Sequence, residues 1–282
     1  MVKAQDIMSK NFVSIDIKET ISQMLGKMKS NRVHSAIVFE KGKYKGVVTR
    51  RFLLTSRIHT EEMKISNITK KRSKSKTPFY VPTLELDTEL KEICRLMAAS
   101  DTHTLPVLQK DKVVGVVSSH DVISHIADAY KKIACEELAS REIVTATPNE
   151  QLMKIIQKMS RNDIDHLPLV DEQGRLMGMI AMADLIDNPE FWDVRAQKIS
   201  RAASHQQGKK TGYGSGEKES MLNLPARNCM SYKKMCSTAP ETKIPAAINM
   251  MIENEVCNII LIRYDKPVGI LTIKDLLVDY AK

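Results

Sequence analysis

A nine-residue phrase beginning with glycine occurs four times in this chain, and it limits the possible folds more than any other feature. The copies are "GVVTRRFLL" from Gly46, "GVVSSHDVI" from Gly115, "GMIAMADLI" from Gly178 and "GILTIKDLL" from Gly269. Each follows a hydroxyl residue in a short β-like run, namely Ser14, Thr83, Thr145 and Ser237, at separations of 32, 32, 33 and 32 residues. Such regular spacing indicates one supersecondary unit that is used four times.

Within each interval the pattern of apolar residues changes in the same order. A helical pattern with three-and-four spacing precedes an apolar strand, a tight polar turn and the glycine strand; in the second interval its residues are Leu90, Ile93, Cys94 and Met97. The phrase then leads into a second helix, so each unit reads β-α-β-β-α and the fold class is α+β. One unit of about 60 residues buries little surface alone, so we expect the units to pair into two modules. The predicted divisions are unit 1 at 1–60, unit 2 at 61–130, unit 3 at 131–189, a basic Gly- and Lys-rich insert at 190–220 and unit 4 at 221–282. We expect units 1 and 2 to form one module, module 1–2, and units 3 and 4 to form the other, module 3–4.

The composition limits the classes of function. The 282 residues include 43 basic and 34 acidic side chains, and the net charge of +9 favours polyanionic partners such as RNA, DNA or anionic membrane. No run approaches the ~20 apolar residues that cross a bilayer, and the N-terminus lacks a signal-peptide core, so we expect a cytoplasmic protein without a membrane partner. The five cysteines contain no C-x-x-C pair and are expected to be free thiols. No motif for a nucleophile or a metal is present, so we expect no enzyme, no catalytic residue and no metal site.

The pattern G-h-h-[ST]-x-x-D at the end of a β-α-β-β-α unit resembles the CBS-domain family, whose units pair into Bateman modules. The resemblance implies a non-catalytic regulatory fold that binds AMP, ADP, ATP or S-adenosylmethionine in clefts between paired units and requires no cofactor. In that family the carboxylate of the phrase holds the ribose hydroxyls, and the hydroxyl side chain lies near the phosphates. These roles fall on Ser118 with Asp121 and on Thr272 with Asp275.

The other two copies of the phrase are incomplete. Unit 1 keeps Thr49 but has Phe52 at the carboxylate position, and unit 3 keeps Asp184 but has Ala181 at the hydroxyl position. We therefore expect one working pocket in each module, in units 2 and 4.

Three further side chains complete the predicted nucleotide-binding set: the upstream hydroxyls Thr83 and Ser237, and His103. His103 lies twelve residues before its glycine, as His34 does in unit 1. A histidine there either meets a phosphate or is a half-buried side chain bonded to a backbone carbonyl.

The phrase has a physical interpretation that does not depend on the family. A hydroxyl where a strand turns into a helix lies among unpaired backbone N–H groups, where these donors and the helix dipole favour a phosphate. A carboxylate three residues later offers acceptors for a vicinal diol. The same spacing is also a capping box, which needs no ligand. Glycine at the strand start lets a ligand or a neighbouring strand approach closely.

Positive charge is concentrated in two segments, residues 64–76 and 195–218. The predicted RNA-binding residues within them are Lys70, Lys71, Arg72, Lys74, Lys76, Lys209, Lys210 and Tyr213. Flexible basic stretches with an aromatic residue suit the phosphate backbone and unstacked bases of RNA, and a solvated loop is the alternative. Four-unit proteins of this size and basicity also resemble archaeal factors that bind ribosomal subunits and hold them inactive. The predicted partner is therefore a ribosomal subunit or another RNA.

Two other functions remain open at this point. The chain could be an adenine-nucleotide energy sensor that regulates a partner metabolic enzyme through protein contacts, with the basic loops incidental. It could also be a DNA-binding regulator, although no helix-turn-helix pattern is evident. In each case we expect a disc-like monomer or a homodimer.

Overall fold

The computed structural model describes residues 2–31, 33–49, 65–71, 81–182, 185, 223–230 and 235–282. Within these ranges no helix combines the length and the apolar character that crossing a membrane requires. The insert at 190–220 lies outside the described residues.

The first two units are built from short helices and strands. Unit 1 contains α1 (Ala4–Ile7), β1 (Ser14–Asp16), α2 (Ile21–Ser30), β2 (Ser35–Glu40) and β3 (Lys43–Thr49). Unit 2 contains α3 (Ile65–Ile68), β4 (Lys70–Lys71), α4 (Leu90–Ser100), β5 (Thr104–Gln109), β6 (Lys112–Ser118), α5 (Ser119–Ile126) and a 3₁₀ helix (Ala127–Tyr130).

The second two units repeat this order. Unit 3 contains α6 (Cys135–Leu138), α7 (Leu152–Arg161), β7 (His166–Val170) and β8 (Leu176–Ala181). Unit 4 contains a 3₁₀ helix (Ala226–Asn228), β9 (Ser237–Thr238), α8 (Ile244–Glu253), β10 (Asn258–Arg263), β11 (Lys266–Thr272) and α9 (Ile273–Tyr280). The predicted α+β repeat is confirmed; in units 1 and 3 most residues of the predicted last helix lie outside the described ranges.

The apolar strand that precedes the glycine strand, here called the middle strand, lies at the centre of each small sheet. It pairs antiparallel with the glycine strand, as β2–β3, β5–β6, β7–β8 and β10–β11. The hydroxyl run lies on its other side and is parallel to it, as β1 beside β2 and β9 beside β10. In all four antiparallel pairs the register shifts directly after the residue that faces the glycine. The repeated glycine therefore marks a β-bulge, a common position for this residue type.

The apolar spacing of the first helix determines which face it buries. In α4 the predicted set Leu90, Ile93, Cys94 and Met97 is buried, and these side chains line one face of the helix. The helix ends at Asp101, whose φ of 50° and ψ of 50° place it in the left-handed region. A residue in that conformation commonly ends a helix.

The buried side chains form three clusters. Units 1 and 3 each have a cluster of their own, whereas units 2 and 4 share the largest one. In the shared cluster α4 packs against α9, and α5 packs against α8. Polar contacts cross the same boundary: the Tyr130 hydroxyl donates to Asp279 Oδ2 at 3.1 Å, and Lys274 Nζ lies 2.9 Å from Asp101 Oδ1. Units 2 and 4 are therefore joined through their helices.

The short segments that lead into each unit pack on the neighbouring unit of the same module. Ser9, near the start of unit 1, forms a bridge with Val116 of β6, and Ser140, near the start of unit 3, forms one with Ile270 of β11. In the other direction β4 pairs with β3, and Ala226 joins the core of unit 3. This exchange links unit 1 with unit 2 and unit 3 with unit 4, as the repeat predicted.

The exchange explains one role of the glycine in the phrase. A Cβ atom at Gly115 would lie 2.9 Å from the Ser9 carbonyl oxygen and 2.9 Å from Met8 Sδ. At Gly269 it would lie 3.4 Å from the Ser140 carbonyl oxygen. The sequence predicts that a ligand or a neighbouring strand approaches these glycines closely. In the structure the leading segment of the neighbouring unit makes this approach.

The structure describes residues 65–71 of the first basic segment, 64–76. Residues 65–71, which the sequence analysis placed in unit 2, pack on unit 1, because Ile65 and Ile68 are buried in its core and β4 extends its sheet. Lys70 and Lys71 form that edge strand. The predicted domain limits themselves remain predictions.

Candidate functional site

The phrase in unit 2 forms the junction between β6 and α5. Ser118 is the N-cap of α5, and its Oγ accepts a hydrogen bond from the Asp121 amide at 3.2 Å. Asp121 Oδ2 accepts hydrogen bonds from the Ser118 amide at 2.9 Å and from the Ser118 hydroxyl at 2.6 Å. The pair is therefore a complete capping box.

Unit 4 repeats this geometry closely. Thr272 is the N-cap of α9, and its Oγ1 accepts from the Asp275 amide at 3.2 Å. Asp275 Oδ2 accepts from the Thr272 amide at 2.8 Å and from the Thr272 hydroxyl at 2.7 Å. The capping interpretation of the phrase is thus realised in both intact copies.

Capping does not use the whole carboxylate. All these bonds go to Oδ2 of Asp121 and of Asp275, and both side chains are half-buried. Oδ1 takes no part in the cap, so an acceptor with two lone pairs stands at the first turn of each helix. One residue type can therefore hold the helix end and still accept hydrogen bonds from a diol.

The upstream hydroxyls lie at the opposite edge of the same sheets. In unit 4, Thr272 faces Asn258 of the middle strand, while Ser237 on the other side faces Ile260. The two hydroxyl residues are thus separated by two strand spacings, about 9.5 Å, and by two residues along the strand. In unit 2, Leu84 forms a bridge with Val107 of the middle strand, so Thr83 lies at the same edge of its sheet as Ser237 does in unit 4. The two predicted polar groups of each unit flank the middle strand and do not bond to each other.

The incomplete copies are only partly described. Thr49 ends β3, faces Ser35 and is half-buried, so its hydroxyl occupies the position of Ser118 without a carboxylate in the phrase. In unit 3, Ala181 is buried opposite His166. Asp184 lies outside the described residues.

His103 joins the unit 2 site through Ser119, a residue that the sequence analysis did not single out. The Ser119 amide donates to the His103 carbonyl at 2.9 Å, and His103 Nδ1 lies 3.3 Å from Ser119 Oγ. The ring of His103 is also 6.5 Å, centroid to centroid, from the ring of His34 in unit 1. Two exposed imidazoles from two units therefore meet beside the Ser118 helix start.

In module 3–4, other residue types occupy the positions of His34 and His103. Cys257 precedes β10 as His103 precedes β5, and Asp165 precedes β7 as His34 precedes β2. Burial, together with the Asp165 carboxylate, raises the pKa of the Cys257 thiol to about 11. A carboxylate and a thiol thus occupy the positions that the imidazole pair occupies in the other module.

Asn258 is a second site residue that sequence reasoning missed. It is 2% exposed, and its Nδ2 has no hydrogen-bond partner among the described residues. Aligning the repeats could have revealed Asn258, because it takes the place of Thr104. Each of these two residues begins its middle strand and lies opposite the N-cap residue of the following helix.

The predicted RNA-binding residues are mostly outside the described ranges. Lys70 and Lys71 form β4, and only their backbone positions are described. The others, Arg72, Lys74, Lys76, Lys209, Lys210 and Tyr213, lie outside the described residues.

Comparison with known families gives four matches along the chain. The sequence profile of the CBS domain matches residues 4–51, 77–128, 135–190 and 233–281. Among solved structures, the protein MJ1225 of Methanocaldococcus jannaschii, proposed to be an archaeal homologue of γ-AMPK, superimposes with a TM-score of 0.77. That superposition covers 99% of this chain and 100% of the other, at 18% identity, and shows a shared fold.

Two curated relatives show different extents of likeness. An uncharacterised 33.4 kDa protein in the ribosomal RNA operon of Thermofilum pendens is 26% identical over 271 residues, covering 91% of this chain and 84% of that protein. The inosine-5'-monophosphate dehydrogenase of Thermoplasma acidophilum is 32% identical over 113 residues, 40% of this chain and 22% of the enzyme. Matches to three other curated relatives cover 34%, 21% and 39% of their lengths, so the chain corresponds to only part of many of its relatives.

Proposed function

Since the chain belongs to the CBS-domain family, we propose that it is a non-catalytic regulatory protein that binds adenosine ligands at units 2 and 4 and contacts RNA, with a ribosomal subunit as the preferred partner. AMP, ADP, ATP and S-adenosylmethionine are the candidate ligands. The pockets are those begun by Ser118 with Asp121 and by Thr272 with Asp275, and Thr83, Ser237 and His103 contribute to them.

One observation carries the ligand proposal. Asp121 and Asp275 each stand at a helix N-terminus with Oδ1 outside the capping box, next to a hydroxyl that is itself fixed by the cap. A carboxylate oxygen accepts hydrogen bonds from the 2'- and 3'-hydroxyls of a ribose, while the positive end of the helix dipole favours a phosphate nearby. The same geometry occurs once in each module.

Calorimetry tests the ligand proposal directly. We expect AMP, ATP, adenosine or S-adenosylmethionine to bind the wild-type chain with up to two sites. Absence of heat and of thermal stabilisation with all four compounds at millimolar concentration would refute the ligand proposal, because ligand that binds only the folded state must stabilise it.

The RNA proposal rests on charge and on a relative. Basic residues are concentrated at 64–76 and 195–218, and a relative that matches 91% of this chain is described as encoded in a ribosomal RNA operon. Each phosphate that a Lys or Arg neutralises releases counterions, so the affinity should fall linearly with log salt.

Co-sedimentation with ribosomal subunits, with and without AMP, tests the RNA proposal. We expect the double change Lys209→Glu with Lys210→Glu to weaken co-sedimentation and to reduce the salt slope by about 2, because two phosphate contacts are lost. The matched control is Lys41→Glu with Lys43→Glu, the same change of charge on an exposed hairpin of unit 1. Equal loss in both variants would contradict a specific role for the insert.

A second candidate is regulation of a metabolic enzyme through protein contacts. It is favoured by the match to a segment that makes up 22% of a dehydrogenase, where such units form part of an enzyme. Recovery of one enzyme and no RNA with the tagged chain would support this candidate and refute the RNA proposal.

A further inference from the structure

The residue just before the middle strand occupies one equivalent position in all four units. In chain order these residues are His34, His103, Asp165 and Cys257. In the three units where the bond is described, the carbonyl of this residue accepts a hydrogen bond that ties it to the helix start, from Ser119 N at 2.9 Å, Met182 N at 2.8 Å and Ile273 N at 2.9 Å. The side chain at this position therefore borders the junction that begins each pocket.

In module 1–2 this position supplies two imidazoles. The rings of His34 and His103 are tilted by 53° with centroids 6.5 Å apart, and both residues are exposed. An imidazole donates hydrogen bonds and, when protonated, carries positive charge, so this pair favours an anionic group beside Ser118.

In module 3–4 the position supplies a carboxylate and a thiol. Asp165 of unit 3 takes the place of His34, and Cys257 of unit 4 takes the place of His103. Because His34 lies beside His103 in module 1–2, the repeat places the Asp165 carboxylate correspondingly at the start of the unit 4 helix. A phosphate there meets a like charge, whereas an uncharged or cationic group does not.

A buried, uncharged donor also lies opposite the Thr272 N-cap of unit 4. Asn258 directly faces Thr272 across the β10–β11 pair, so the two side chains lie on the same face of the sheet. Its buried Nδ2 has no acceptor among the described residues, and a buried amide donor without a partner is costly. An acceptor atom of a bound ligand would satisfy it.

We infer that the two intact pockets divide adenosine ligands by charge: the unit 2 pocket takes a phosphorylated nucleotide, and the unit 4 pocket takes an adenosine ligand without a phosphate. Asp165 excludes the phosphate from unit 4, and Asn258 donates to an acceptor of the ligand. This inference rests on the proposed adenosine binding of both units and adds the ligand class of each.

Variants with a single working pocket test the division. Asp275→Asn leaves the unit 2 pocket, and Asp121→Asn leaves the unit 4 pocket. By calorimetry we expect the Asp275→Asn chain to bind AMP at least about tenfold more tightly than adenosine, and the Asp121→Asn chain to show the reverse order. The same order of affinities in both variants would overturn the inference and leave the proposed function standing. If the wild type binds neither compound, the proposed function fails as well.

A third substitution tests whether Asp165 causes the preference of the unit 4 pocket for adenosine over AMP. In the Asp121→Asn background, Asp165→Asn should raise the ratio of AMP affinity to adenosine affinity about tenfold, because one like charge is removed. Glu172→Gln is the matched control, since it removes one charge from an exposed turn of the same unit and should not change the ratio. An unchanged ratio in the Asp165 variant, or an equal rise in the control, would show that Asp165 does not select the ligand.

Discussion

The two roles of the phrase, helix cap and ligand site, can be separated by changing its carboxylate in two ways. In Asp121→Ala with Asp275→Ala, each helix loses the acceptor for the amide and the hydroxyl of its N-cap residue. Losing the carboxylate half of a capping box costs about 1 kcal/mol, so the double variant should lose about 2 kcal/mol of unfolding free energy. In a chain of this size that lowers the melting temperature by several degrees.

The asparagine variants keep the cap and alter the ligand group. In Asp121→Asn with Asp275→Asn, the amide oxygen can still accept from the N-cap N–H and hydroxyl, so the unfolding free energy should change by less than about 0.5 kcal/mol. The second oxygen, however, becomes an NH₂ group that cannot accept from a ribose hydroxyl. Losing one charge-assisted hydrogen bond of about 1.5–3 kcal/mol weakens adenosine binding about ten- to hundredfold.

Calorimetry with adenosine and thermal unfolding of the same samples provide the two measurements. Asp128→Asn, at an exposed acid beyond the end of α5, is the control and should change neither. If the asparagine double variant binds adenosine as the wild type does, while the alanine double variant only unfolds more easily, then the phrase is a cap and the ligand assignment is wrong.

Three further predictions concern the fold. Gly115→Ala should destabilise the chain by about 1–3 kcal/mol in urea unfolding, because a backbone carbonyl lies 2.9 Å from the new Cβ; Gly269→Ala, where the carbonyl is 3.4 Å away, should cost less, and equal costs would contradict the proposed close approach. Tyr130→Phe should cost about 1 kcal/mol by the same measurement, since it removes a hydroxyl that bonds unit 2 to unit 4, and no change would show that this bond does not contribute. Burial raises the pKa of the Cys94 thiol to about 12 and that of Cys135 to about 11, so both should resist iodoacetamide at pH 8 until the chain unfolds, and rapid native alkylation would contradict the packing.

Much of the local structure could be predicted from the sequence because it depends on short-range patterns. The α4 helix follows from four apolar residues at helical spacing, and all four are buried. The capping box follows from a hydroxyl and an acid three residues apart, since only that spacing places both at one helix start. Because the phrase occurs four times, each pattern could be compared among four units, and the predicted order of elements agrees with the described part of each unit.

The candidate site was predictable only where its residues lie within one phrase. Ser118 with Asp121, and Thr272 with Asp275, come together as expected because three residues of chain connect them. Asn258 was missed, because its meaning depends on its facing Thr272 across an antiparallel pair.

The sequence by itself determined the number of units, the order of their elements and the caps of the last helices in units 2 and 4, because these depend on residue type and spacing along a few turns or strands. The bulge at each glycine was not predicted, and the pairing of the strands revealed it. Only the tertiary structure decided that units 2 and 4 share one core, and that the leading segment of each unit packs on its neighbour. Similar amphipathic helices from four units can pair in several ways, and their apolar stripes do not say which. The same holds for the meeting of His34 with His103, because these residues are distant in the chain and are joined only by the packing of whole units.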